Sequence, residues 1–110
     1  MLATDQLTDR IGATAIDPLR LTLRDDPNAL ARVHAMWALY RFKALKFEEI
    51  DQLAHAHEAI VRRHAMRALA ETATSSAESR DLTIAGLADV DPSVRRAAAD
   101  AIGQHPSRQS

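Results

Sequence analysis

The chain has 110 residues, no cysteine and a formal net charge of −1. Alanine occurs 22 times while aromatic residues make up 4%, a balance that favours helices. These figures fit one domain and exclude a disulfide framework, a thiol nucleophile, a cysteine-ligated metal and a disordered chain, and they provide no general attraction to nucleic acid or anionic lipid.

Residues 1–16 begin with Asp5, Asp9 and Arg10 and no apolar run, unlike a secretory signal. Leu7 and Ile11 lie one turn apart and predict a leading helix, the last element of a preceding unit. Asp17-Pro18 predicts the cap and start of a short helix reaching about Arg24, since proline suits the first helical position. Leu19-Arg-Leu-Thr-Leu-Arg24 also alternates like a strand, but no hairpin turn or partner strand follows it. Asp26-Pro27 marks the turn into a longer helix. There Leu30, Val33, Trp37 and Tyr40 form one apolar stripe, and Ala31, Ala35, Leu39 and Phe42 form a second. Two stripes predict a helix covered on more than one side.

The apolar run from Val33 to Tyr40 is far short of the roughly 20 residues of a membrane span. No membrane insertion is expected, and the chain reads as soluble and cytoplasmic by default. Phe47, Ile50, Leu53 and Ala54 mark the next short helix, and Val61, Ala65, Ala68 and Leu69 the long helix after it. Leu82, Ala85 and Ala88 mark a third short helix, with Ser76 or Ser79 as its cap. Asp91-Pro92 then turns into a last long helix carrying Val94, Ala97, Ala98, Ala101 and Ile102. Residues 105–110 form a polar tail.

Three of these segments align without gaps. They are Arg32-Val-His-Ala-Met-Trp-Ala-Leu39, Arg62-Arg-His-Ala-Met-Arg-Ala-Leu69 and Arg95-Arg-Ala-Ala-Ala-Asp-Ala-Ile102. Arginine leads each (Arg32, Arg62, Arg95). Alanine follows three residues later (Ala35, Ala65, Ala98), and Leu39, Leu69 or Ile102 stands seven later. A short and a long helix every 30 to 33 residues predict an all-α fold. The expected form is an α-solenoid of about three helix pairs, over residues 17–43, 47–73 and 77–104. Alanine at the shared positions suits close approach of neighbouring helices. Apolar faces are expected at the end units, where no polar cap is evident.

The stretch Leu87-Ala-Asp-Val-Asp-Pro-Ser-Val-Arg-Arg-Ala-Ala-Ala-Asp-Ala-Ile-Gly103 resembles a HEAT repeat of the short type known from phycobilin lyases. The likeness extends more loosely over residues 17–104. It implies a HEAT-like, armadillo-type array in a right-handed superhelical arc, with the long helices lining the concave face. Asp26-Pro-Asn-Ala-Leu-Ala-Arg-Val-His-Ala-Met-Trp-Ala-Leu39 is similar to the HEAT region of large bacterial membrane-bound dehydrogenase-like proteins. Those join such repeats to a β-propeller and a c-type haem domain. That likeness implies an accessory domain of a larger haem-containing protein, with neighbouring repeats of a parent chain as partners. It brings no catalytic residue, because neither a propeller nor a Cys-x-x-Cys-His site is present.

In HEAT units the leading arginine bonds to the turn before it. This implies Asp25 or Asp26 for Arg32 and Asp89 or Asp91 for Arg95, and leaves Arg62 with Glu58 or a carbonyl. Arg63, Arg67 and Arg96 are the candidate binding residues. The long-helix segments carry a formal +4 and the short ones −3, so a basic face is expected on the long helices. Such a face suits an acidic peptide or a phosphate backbone. Trp37, Tyr40, Phe42 and Phe47 read as core or as a partner hot spot. His34 and His64 are repeat-equivalent, and His55-Ala-His57 lies at a helix end, but no Cys, Asp or Glu completes a ligand set. No phosphate loop or nucleophile elbow occurs. The expected function is therefore a non-catalytic scaffold or protein-interaction module, without cofactor or metal. The accessory-domain role and nucleic-acid backbone binding are the alternatives, the latter the weaker given the net charge.

Overall fold

Alanine-rich segments with a capping side chain in front of them favour helix, and segments this short rely on packing to hold it. The computed structural model describes residues 15–72 and 76–104. Among them are six helices and no strand. They are α1 (residues 15–25), α2 (Ala29–Arg41), α3 (Phe47–Ala54), α4 (Ala59–Glu71), α5 (Ala77–Gly86) and α6 (Pro92–Gln104). The fold is all-α, and no helix among the described residues is long and apolar enough to cross a membrane. Most of the expected leading helix (1–16) and the whole of the tail (105–110) lie outside the described residues. Ala15 and Ile16 are already helical, so Asp17 and Pro18 lie within α1 and do not begin it. The strand-like alternation at Leu19–Arg24 is helical too. A period of 3.6 places Leu19 and Leu23 on one side, half-buried and buried, and leaves Leu21 53% exposed.

The chain forms two compact units, which divide between Leu45 and Lys46. The first contains α1 and α2. In the turn between them the Asp26 carboxylate accepts the Asn28 N–H at 2.8 Å. Asn28 then caps α2, its Oδ1 accepting the Ala31 N–H at 3.1 Å. The helix ends where Lys43 adopts a left-handed φ of 59°. Lys43 N–H donates to the Tyr40 carbonyl and Ala44 N–H to the Leu39 carbonyl, both at 2.9 Å, the paired bonds of a Schellman ending. Arg20 of α1 donates to the Ala44 carbonyl, and Arg32 of α2 donates through Nε to the Leu23 carbonyl at 3.1 Å. These two bonds tie the helices at both ends. Val33, Ala35, Met36 and Leu39 are the buried residues of α2. Leu30 and Phe42, from the two stripes, are largely exposed, and Met36 takes an inward place that neither stripe included. Trp37 and Tyr40 are half-buried and meet edge to face, 5.5 Å between ring centres.

The second unit contains α3 to α6. Glu49 reaches back to accept the Lys46 N–H at 2.8 Å at the start of α3. Ser76 caps α5 by accepting the Ser79 N–H at 3.1 Å. Ahead of α6, Asp91 accepts the Ser93 N–H at 2.8 Å and its hydroxyl at 2.6 Å, with Pro92 as the first helical residue. Long helix α4 packs against long helix α6, short α3 touches short α5, and each short helix packs on the long helix that follows it. Leu53, Val61, Ala65, Met66, Ala98 and Val94 are among the residues that fill the core. Burial of a Leu or Val side chain contributes about 1.5–3 kcal/mol. The helices approach closely at Gly86, the last residue of α5. A Cβ there would stand 2.7 Å from Met66 Sδ and 2.9 Å from Ala98 Cβ. Ile84 and Leu87 are exposed, and Val90 is 87% exposed, so this unit presents apolar side chains to solvent.

Candidate functional site

The leading arginines bind backbone in all three pairs, but each differently. Arg32 uses the Leu23 carbonyl, two residues before the expected aspartates. Arg95 donates through Nη1 to the carbonyls of Asp89 (2.8 Å) and Val90 (3.2 Å), so the expected residue contributes its backbone and not its carboxylate. Arg62 donates through Nη1 to the carbonyls of Ala56 (2.9 Å) and His57 (2.7 Å), the kind of acceptor left open for it.

Arg62 also makes a contact that its own segment gave no hint of. Its Nε and Nη2 clasp both oxygens of Asp89 at 2.8 and 3.1 Å, with the two side chains only 15% and 14% exposed. Asp89 Oδ1 also accepts the Asp91 N–H at 2.9 Å. A two-pronged, charge-assisted contact of this kind is among the stronger hydrogen bonds. The hydrogen bond from Arg62 holds the Asp89 carboxyl below its ordinary value, against the opposing effect of burial. The same bond raises the Arg62 guanidinium. One arginine therefore joins the α3–α4 turn to the α5–α6 turn. The signal in the sequence is an aspartate two residues before Asp91-Pro92, in the turn of the following pair.

The candidate binding residues Arg63, Arg67 and Arg96 come together. They line one open groove of about 980 Å³ between α4 and α6. Arg63 and Arg67 stand one turn apart on α4, half-buried and exposed, and Arg96 is exposed on α6. Among the described residues none of the three has a hydrogen-bond or ion-pair partner, whereas Arg95, beside them, is fixed to the turn. Glu71, Asp91 and Asp100 also line the groove, so it is not uniformly basic. The Asp91 carboxyl is held low by the Ser93 hydroxyl and N–H, which keeps it a charged, already occupied acceptor. A smaller hollow of about 420 Å³ lies beside the Arg62–Asp89 pair, lined by Met66, Leu82 and Gly86.

Of the other candidates, Trp37 and Tyr40 pack on each other within the first unit. His55 Nδ1 contacts the Asp51 carbonyl at 2.8 Å, within its own helix end. Among the described residues no group of three or more His, Asp or Glu is placed to hold a metal ion. The groove is lined mainly by charged side chains, and its one hydroxyl, that of Ser93, is held by the Asp91 carboxylate. No family model, curated protein or solved structure matches the chain.

Proposed function

We propose that the chain is a non-catalytic protein-binding module, a HEAT-like solenoid whose helix pairs stack in a right-handed arc, with the α4/α6 groove as its binding face. The arrangement of the second unit supports the architecture. Long helix lies beside long helix and short beside short, the two-layer order that stacked helix pairs produce. The observation that carries the function is the groove itself. It gathers three arginines without partners among the described residues on two equivalent helices, over a core in which every described buried side-chain polar atom is hydrogen-bonded. Solenoids of this kind present extended surfaces to partners.

Selection of a random peptide display library on the immobilised chain tests this reading. The expected outcome is enrichment of peptides that share a pattern and lose binding when the chain is heat-unfolded. A selection that yields no common pattern over repeated rounds contradicts it.

A further inference from the structure

We infer that the α4/α6 groove receives a carboxylate-bearing segment of a partner protein, with Arg63, Arg67 and Arg96 as the receptors. This rests on the protein-binding reading above and specifies the chemistry of the partner. A guanidinium is a planar fork that matches a carboxylate with two parallel hydrogen bonds. Arg62 and Arg95 spend theirs on turns of their own chain. Arg63, Arg67 and Arg96 do not, although Asp100 stands one turn beyond Arg96 on the same helix. Their donors meet no acceptor among the described residues and suit an outside one.

The neighbouring acids decide which anion fits. A nucleic-acid backbone carries a charge at every phosphate, and its strength comes from many cations acting together. Laid in this groove, it would set phosphates against Glu71 and Asp100, on a chain with a net charge of −1. A protein segment avoids that conflict. It can place carboxylates opposite the three arginines and a neutral or basic residue opposite Asp100, and like-charge contacts then reject wrong registers. Arg63 and Arg67 are neighbours at about 5–6 Å between Cβ atoms. Acids one helical turn apart, or two residues apart on an extended segment at about 7 Å, match that spacing.

The test uses peptides of about 12 residues from the display selection, a length that spans the 13-residue helices α4 and α6. Fluorescence anisotropy at about 150 mM salt compares the best peptide, its Asn/Gln counterpart and DNA oligonucleotides, single-stranded and duplex. The peptides are expected to carry paired Asp or Glu. The Asn/Gln counterpart is expected to bind about ten-fold more weakly, as is the chain with Arg63→Gln, Arg67→Gln and Arg96→Gln. The single variants Arg63→Gln, Arg67→Gln and Arg96→Gln are each expected to weaken binding about two- to three-fold, and they keep the test open should the triple variant unfold. Enriched peptides without acids, or full binding by the triple variant, overturn this inference and leave the protein-binding reading standing. Tighter binding of DNA than of any peptide overturns both, as does a selection without a common pattern.

Discussion

Asp89 concentrates the polar energetics of the second unit in one side chain. It takes two bonds from Arg62 and one from the Asp91 N–H, and its carbonyl takes one from Arg95. Asp89→Asn removes the charge but keeps the shape, and is expected to cost about 1.5–3 kcal/mol, the range for hydrogen bonds to charged groups. The pH dependence follows from the lowered carboxyl. A group held below its unfolded value of about 3.9 contributes stability that is fully present above that value and is lost as pH falls through the lower, folded one. Acid titration of the thermal midpoint should therefore be shallower below about pH 4 in Asp89→Asn than in the parent, and identical slopes would contradict the account. Glycine supplies a second case. Gly86→Ala drives a Cβ against Ala98, which cannot swing away as the Met66 thioether can. Overpacking of about 1–3 kcal/mol should outweigh the gain of about 1 kcal/mol in helix propensity. Gly103→Ala meets nothing within 4 Å and should stabilise by about 0.5 kcal/mol. Chemical denaturation that moves both variants in the same direction would be the contrary result. Neither Asp89 as the partner of Arg62 nor Gly86 as a contact point was legible in the sequence. Both depend on which turn and which helix the fold brings alongside. The repeat compares equivalent residues, and α3 has no glycine to match Gly86.

The helices themselves were largely legible, because their ends are written in local chemistry. Asn28 and Ser76 each accept an N–H three residues on, and Asp91 accepts that of Ser93, two residues on. Asp26-Pro27 lies in the turn before α2, and Asp91-Pro92 leads directly into α6, with Asp91 in the turn and Pro92 the first helical residue. Asp17-Pro18 has the same letters but lies inside α1, since an Asp-Pro pair states only what a helix start tolerates. The two-stripe reading of α2 fails at Leu30 and Phe42 because periodicity marks a face without fixing how much of it is covered. The end of α2 carries a signal that composition hides. Lys43 sits where glycine is usual, at a left-handed φ that costs a residue with a Cβ about 1–2 kcal/mol. Lys43→Gly should therefore stabilise the chain by about 1 kcal/mol after the added freedom of the unfolded glycine is counted. A fall in the denaturation midpoint would show that lysine makes contacts there that glycine cannot replace.

At the scale of the molecule, regularity and function draw on different residues. The repeated Ala65, Ala98, Leu69 and their neighbours are consumed by packing, and Arg62 and Arg95 by turns. Under the proposed function, a partner is left with Arg63 and Arg96, equivalent positions where the first segment has Val33, and Arg67, which the repeat does not share. The sequence could place those arginines on long helices but could not show that the α4 pair and Arg96 face one groove. It also could not show that carboxylates interrupt the groove, because both follow from the lateral order of α4 and α6. The most direct test of the central claim is an ¹⁵N–¹H NMR titration of the labelled chain with the best selected peptide. The account expects amide shifts confined to the groove, at Arg63, Arg67, Ala70, Arg96 and Asp100. The amides of Gln52, Glu78 and Asp81 on the short helices should stay in place. Shifts centred on α3 and α5, with the groove amides still, would contradict it.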